Sequence, residues 1–260
     1  MTERFAPRLS VLMCVHDEEA RLPSCLEHLS FADELVVVLD RCTDGSKALV
    51  EAAVARIGAG RVIEGAFPLE GDRRNAALAA ATGDWMLEVD ADEHIPEALA
   101  AEIRRTVATS PFDVHPLRVD NYIGERLVRH GWGAHFGTSQ VDRLTRRHVK
   151  HWGGQRVHPE VTFKGTRGPV LETPFLHYVD RNISDMIRRL DRYSSARARD
   201  LRERGADEGL GRNLRRVFSR FYKCYVRRKG YREGEWGVLI ALMAGLYPLL
   251  SHLKARLERE

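Results

Sequence analysis

Residues 9–29, LSVLMCVHDEEARLPSCLEHL, decide the fold, with 32–46, ADELVVVLDRCTDGS, and 71–95, GDRRNAALAAATGDWMLEVDADEHI, extending the same pattern. An apolar β-forming run at 9–15 ends in a polar turn, and Leu22, Leu26 and Leu29 then recur at helical spacing. The same alternation predicts strands at 34–39, 61–64 and 85–89 and helices at 46–57, 72–81 and 96–108, the last with Pro96 in its first turn. Short, largely apolar strands separated by helices mean βαβ crossovers and a mostly parallel sheet, an α/β fold. Ligands of such sheets bind beyond the carboxyl ends of the strands. Neither G-x-G-x-x-G after the first strand nor G-x-x-x-x-G-K-[ST] is present, so a standard dinucleotide site and a P-loop are both unsupported.

The composition agrees with a globular enzyme-sized chain. Its 260 residues, 43% hydrophobic and 30% charged with 4 Cys, exclude a disordered tail, a fibre and a disulfide scaffold. Cys14, Cys25, Cys42 and Cys224 form no C-x-x-C pair and are expected to be reduced thiols. Glu3 and Pro7 interrupt any leader pattern at the N-terminus, which predicts a cytoplasmic protein.

Beyond residue 112 the strand–helix alternation fails, and 112–178 reads as a mixed, partly antiparallel extension. From 184 onward the pattern is helical, with breaks near 205–211 and 230–234. The net charge of +4 hides an asymmetry, because residues 181–232 hold 17 basic and six acidic side chains. A basic segment on an otherwise acidic chain points to an anionic partner. The 18 residues 236–253, WGVLIALMAGLYPLLSHL, carry no Asp, Glu, Lys or Arg. Three readings are open for them: a helix in the membrane interface with Trp236 and Tyr247 at headgroup level, a buried helix, or a span. Basic helices leading into an apolar one favour lipid, so an anionic membrane surface is expected and no nucleic acid.

The strand-end loops are acidic: Asp17-Glu18-Glu19, then Asp40 with Asp44, then Asp90-Ala91-Asp92-Glu93. Carboxylates two apart on extended backbone address one pocket, and paired hard oxygen donors suit Mg²⁺ or Mn²⁺ bound together with a diphosphate. The alternative for D-A-D is an acidic turn capping the helix that starts at Pro96.

The three quoted stretches, in their order and spacing over the first 110 residues, resemble the family 2 glycosyltransferases. The later GGQRVHPEV (153–161), Leu176-His177-Tyr178 and the basic-then-apolar helices resemble the bacterial subgroup that includes lipopolysaccharide core glucosyltransferases. The resemblance implies an A-type glycosyltransferase fold, a nucleotide-sugar donor with UDP favoured, a divalent cation and inversion at the anomeric carbon. It places the nucleoside at Val15, His16, Asp17, Glu18 and Asp40, and puts Arg74 on the donor side. It makes Asp90 and Asp92 the D-x-D, with Asp92 the direct metal ligand. Where the family often has Thr-Tyr-Asn or Thr-Lys-Asn this chain has Val15-His16-Asp17, and Arg41-Cys42 replaces the usual Ser or Gly.

The chemistry agrees. Loss of a nucleoside diphosphate puts negative charge on the departing phosphate, which carboxylate-held metal and Arg74 or Arg143 would stabilise. A base must also take the acceptor's proton. Glu160, which shares a face with His158 if 158–160 is extended, is the first candidate, Glu93 the second and Asp142 the third. His158 or His177 could serve as a further metal ligand or phosphate contact. Six of the 11 His fall between 130 and 177 without zinc-site spacing. Trp132 and Trp152, each flanked by Gly, could stack on a sugar or anchor loops.

The expected organisation is a catalytic domain at 1–180, with donor binding in 1–110 and the acceptor side in 111–180, followed by a membrane-associating helical extension at 181–260. The expected acceptor is a cell-envelope glycolipid or polysaccharide at the inner membrane. Rival functions are a sugar nucleotidyltransferase, which would want a basic Gly-rich loop where 16–19 is acidic, and a non-catalytic nucleic-acid- or membrane-binding protein.

Overall fold

The computed structural model describes residues 6–132, 138–155, 159–205 and 208–258. Two compact units divide the chain: residues up to Val119 with Gln140–His177, and Asp120–Ser139 with the residues from Tyr178 onward. The division expected at 180 thus runs after His177, and 120–139, expected on the acceptor side, belongs to the helical unit.

In the first unit β1 (Leu9–Val15), β2 (Glu34–Asp40), β3 (Gly60–Gly65) and β4 (Trp85–Glu88) form a parallel array in the order β3-β2-β1-β4. All seven residues of β2 and six of β1 are buried, as an apolar strand covered on both faces requires. Alternate residues serve opposite layers. Leu9, Val11 and Met13 join Leu35 and Val37 beneath α1 (Leu22–Glu27), α2 (Ser46–Ile57) and α4 (Glu97–Thr109), while Leu12, Val36, Val38 and Met86 pack against Ala77 of α3 (Glu70–Ala80). Buried Glu34 is held in this core by hydrogen bonds donated by Ser10 Oγ at 2.5 Å and by the backbone N–H and hydroxyl of Thr82 at 2.8 and 3.0 Å.

Beyond β4 the sheet turns antiparallel. β8 (Gln140–Arg146) pairs with β4, and β6 (Val114–Ile123) pairs with β8. The sheet continues through β11 (Leu171–Asp180) to the two-residue β5 (Glu93–His94), and the equally short β7 (Arg126–Leu127) pairs with β6. β9 (Lys150–Trp152) and β10 (Val161–Phe163) make a separate antiparallel ribbon. Parallel order over the first strands and antiparallel order afterwards are what the sequence predicts.

The second unit contains α5 (Ile183–Glu203), α6 (Leu210–Tyr222) and α7 (Glu235–Leu257). A π-helical turn at Lys223–Arg227 and a 3₁₀ turn at Gly230–Glu233 join the last two. Asn182 caps α5 by accepting the Asp185 N–H. Ile240, Ala241, Met243, Ala244 and Tyr247 of α7 form the core with Met186, Leu190, Val128 and Trp132. The 236–253 run is therefore largely a core helix. Tyr247, expected at headgroup level, is 1% exposed, and Trp236 packs against the same core. Small residues permit that burial. A Cβ on Gly237 would meet the Gly230 carbonyl oxygen at 1.8 Å, and one on Gly245 the Val217 carbonyl oxygen at 2.7 Å. Among the described residues α7 is the one helix long and apolar enough to cross a membrane, with Pro248 inside it.

Candidate active site

Asp90, Ala91 and Asp92 follow β4 and lead into β5, so backbone pairing fixes their surroundings. Antiparallel pairing of β5 with β11 sets His177 opposite Glu93, although 84 positions separate them in the chain. Pairing of β4 with β8 sets Leu144 opposite Leu87 and delivers the preceding residue, Arg143, to the end of β4. Arg74 arrives from α3 and Arg21 from the turn before α1.

The two aspartates differ in how tightly they are held. Arg143 Nη2 donates to Asp90 at 2.6 Å and to Glu93 at 2.5 Å, and Arg74 Nη2 lies 3.2 Å from Asp90. Burial would raise the Asp90 pKa, but the two guanidinium groups outweigh it and hold this carboxyl far below the usual carboxylate range. Asp92 has looser neighbours, with Arg21 Nη1 at 3.5 Å and His177 Nε2 at 3.7 Å. Its carboxylate is the more available of the pair. Burial would lower the His177 pKa, yet the adjacent Asp92 carboxylate and those of Glu93 and Asp90 raise it.

Glu93 is the most enclosed of the three base candidates. It is buried, accepts the Asp90 N–H at 2.9 Å and shares Arg143 with Asp90. Burial pushes its carboxyl up to about 7, despite Arg143, because the neighbouring Asp90 and Asp92 charges add to the effect. It shapes the Asp90 loop from behind.

Beneath Asp90 lies an ion pair that the sequence reading missed. Buried Glu88 accepts from Lys150 Nζ and, at 2.8 Å, from Trp152 Nε1. Lys150 Nζ sits 4.6 Å and the Arg74 guanidinium 4.7 Å from the centroid of the Trp152 ring. Trp152 thus anchors Arg74, and its ring is engaged with protein cations. Asn75 completes the clamp, donating to the Trp152 carbonyl at 2.8 Å and accepting its N–H at 3.0 Å. The available signal was a Glu inside an otherwise apolar strand, which requires a buried cation as partner. Trp132 is also an anchor, buried with Nε1 donating to the Val128 carbonyl at 2.6 Å.

At the ends of β1 and β2 the predicted nucleoside residues do come together. His16 Nδ1 is 2.6 Å from the Asp40 carbonyl oxygen, and Val15 is the buried last residue of β1. The Asp40 carboxylate accepts two hydrogen bonds from Arg41, at 2.9 and 3.0 Å, and the Phe67 N–H at 3.0 Å. Asp17 braces the neighbouring loop, accepting from Thr43 N–H at 2.7 Å. The Glu18 N–H donates to Ser46 Oγ at 3.0 Å, and its carboxylate lies 3.6 Å from Arg21. Asp17 and Arg41 both adopt positive φ, 52° and 53°, a conformation non-glycine residues rarely take outside constrained loops.

Of the other base candidates, Asp142 is half-buried, and its Oδ1 lies 2.8 Å from Arg167 Nη2. Glu160 is exposed. Its backbone N–H donates to Gln155 Oε1 at 2.9 Å, its carbonyl accepts from Gly153 at 2.7 Å, and among the described residues its carboxylate has no partner. His158 lies outside the described residues.

The donor set suits a hard divalent cation. Among the described residues no three His, Cys, Asp or Glu side chains form a ready metal cage. One carboxylate from Asp92 with the His177 imidazole beside it is nevertheless the kind of partial set that Mg²⁺ or Mn²⁺ completes with water and phosphate oxygens. Arg74 and Arg143 add the positive charge that a diphosphate requires.

The family model described as glycosyl transferase family 2 matches residues 10–158. The lipopolysaccharide core biosynthesis glycosyltransferase LpsC of Rhizobium meliloti (strain 1021) is 26% identical over 259 residues, 95% of this chain and 91% of that one. Among solved structures, Staphylococcus aureus TarS 1–349 in complex with UDP-GlcNAc matches with TM-score 0.52 at 14% identity, over 93% of this chain and 81% of that one. The mannosyltransferase PcManGT of Pyrobaculum calidifontis, in complex with GDP-Man and Mn²⁺, matches with TM-score 0.52 at 14% identity, over 99% and 89%. The likeness to these structures establishes the A-type glycosyltransferase fold.

Proposed function

The chain belongs to glycosyl transferase family 2, and on that premise we propose that it is an inverting, cation-dependent enzyme carrying a sugar from a nucleotide donor, UDP-linked by preference, to a cell-envelope glycolipid or saccharide. The observation that carries this reading is the cluster of Asp90, Asp92, His177, Arg74 and Arg143 at the carboxyl end of β4, where carboxylates and guanidinium groups converge. The relationship to LpsC supports an acceptor of the lipopolysaccharide core type.

Asp92, with His177 beside it, would hold Mg²⁺ or Mn²⁺, which supplies charge neutralisation for the donor's diphosphate. Asp90, clasped by Arg143 and Arg74, sets the loop and the orientation of both guanidinium groups. Displacement breaks the bond from the anomeric carbon to the diphosphate oxygen, and the electron pair stays on that oxygen. Arg74 and Arg143, already fixed by Trp152 and Glu93, stabilise the charge as it grows without reorganising. The loops after β1 and β2, with His16 and Asp40 at their centre, receive the nucleoside, while Asp17 braces them.

The acceptor hydroxyl attacks from the face opposite the diphosphate, and its proton passes to a carboxylate. Glu160 is assigned that role because its carboxylate is uncommitted among the described residues while Glu93 and Asp142 are ion-paired. In the chain Glu160 immediately precedes Val161, the ribbon residue that pairs with Trp152. Glu160→Gln should lower kcat about 10²- to 10⁴-fold with donor binding unchanged. An unchanged kcat would remove Glu160 from the mechanism. We place the enzyme at the cytoplasmic face of the inner membrane, where an amphiphilic acceptor and a soluble donor meet.

A further inference from the structure

The second unit carries an apolar surface that the buried α7 does not explain. On α6 and the turn after it, Leu210, Leu214, Phe218, Tyr222 and Val226 recur at four-residue spacing and are all exposed, Phe218 to 75%. At about 100° per residue the four on the helix sweep one continuous arc of about 120°. Arg215 and then Arg212 follow on the adjoining arc, and both are exposed. α7 packs on α6 at Gly245 and Val217 and contributes exposed Val238, Leu242 and Leu246 at the same spacing. From Gly209 to Arg232 there are nine basic side chains and no acidic one.

We propose that α6 lies in the plane of an anionic bilayer, with the Leu214–Phe218–Tyr222 stripe in the acyl boundary and Arg212, Arg215 and Lys223 on the lipid phosphates. Two observations select this occupant. Phe218 with its aliphatic neighbours needs an apolar phase, which nucleic acid does not offer. A second copy of the chain would bring two strongly basic arrays together, in which Arg216 is already paired with Glu208, whereas anionic headgroups complement the exposed Arg212 and Arg215. The membrane-facing element is thus α6, with one stripe of α7, and not the 236–253 run as a whole. This deepens the membrane part of the function proposed above and is independent of the transfer chemistry, since lipid binding is read without donor.

The test is flotation of the full chain with phosphatidylcholine vesicles, with and without phosphatidylglycerol, for the wild type, Leu214→Ser/Phe218→Ser and Arg212→Gln/Arg215→Gln. All these positions are exposed, and thermal unfolding and UDP binding verify that the variants stay folded. The expected result is binding to anionic vesicles that weakens with salt. It should fall at least about tenfold in the serine pair and lose much of its anionic preference in the glutamine pair. Folded wild type that does not float, or a serine pair that floats like wild type, would overturn the proposal. So would a wild-type dimer in light scattering that Phe218→Ser converts to monomer, because a second copy would then cover the stripe. Intact UDP binding alongside failed flotation would reject the surface and leave the transferase reading standing.

Discussion

Asp90 and Asp92 sit two residues apart and are held by different means, so their substitution should separate two effects. Among the described residues the ion-pair contacts of Asp92 are long, to Arg21 at 3.5 Å and His177 at 3.7 Å. Asp92→Ala should therefore leave the unfolding midpoint nearly unchanged while lowering kcat/KM by about 10²-fold or more. Arg143 is the structural counterpart, since its one guanidinium serves both Asp90 and buried Glu93. Arg143→Met leaves two carboxylates without their shared cation and should cost about 3–5 kcal/mol in urea unfolding. Glu34 gives the clearest pH effect. Burial would raise its pKa, but the hydrogen bonds from Ser10, Thr82 and Gly83 outweigh burial and set it below 4.5. A depressed carboxyl stabilises the fold at neutral pH, and that contribution is lost as pH falls through the folded-state value. Glu34→Gln should cost about 1–3 kcal/mol near neutrality, and its deficit should shrink below pH 4.5. A deficit equal at both pH values would show that the charge of Glu34 contributes nothing.

Short elements assemble the site. The two-residue β5 and its pairing with β11 bring His177 to Asp92, and the ribbon strand β9 brings Lys150 and Trp152 to Glu88 and Arg74. Neither strand has a periodicity that a sequence can display, so the D-x-D motif was legible while its cationic frame was largely not. Arg74 could be named from the family resemblance, and Arg143 beside it from the charge that the chemistry demands. Arg21, Glu88 and Lys150 could not, because their meaning lies in pairings between distant strands. The contact between α3 and β9 can be tested directly. A Cβ on Gly71 would come within 2.1 Å of the Gly153 carbonyl oxygen. Gly71→Ala should push the ribbon off α3, destabilise by about 1–3 kcal/mol and reduce activity through Arg74, measured as a fall in both unfolding midpoint and kcat.

At the scale of the molecule, alternating strands and helices through residue 108 made the parallel array readable, since the apolar runs at 9–15, 34–39 and 85–88 are its buried strands. The C-terminal helices were harder to read. Composition alone cannot tell a lipid-facing apolar helix from one buried by its neighbours, and the deciding features, Gly237 against Gly230 and Gly245 against Val217, are tertiary. Because Ile240, Ala241, Met243 and Tyr247 are core residues, ending the chain before α7 should leave the helical unit unfolded and aggregation-prone. Circular dichroism showing undiminished helix in α5 and α6 would contradict that. The central claim, a cation-assisted nucleotide-sugar site at Asp90 and Asp92, is tested most directly by thermal stabilisation with UDP, GDP and CMP. Each nucleotide is measured with and without Mn²⁺ or Mg²⁺, on wild type and Asp92→Ala. The account predicts stabilisation by UDP that requires the cation and disappears in Asp92→Ala. A folded wild type that no nucleotide stabilises, or cation-dependent stabilisation that survives in Asp92→Ala, would contradict it.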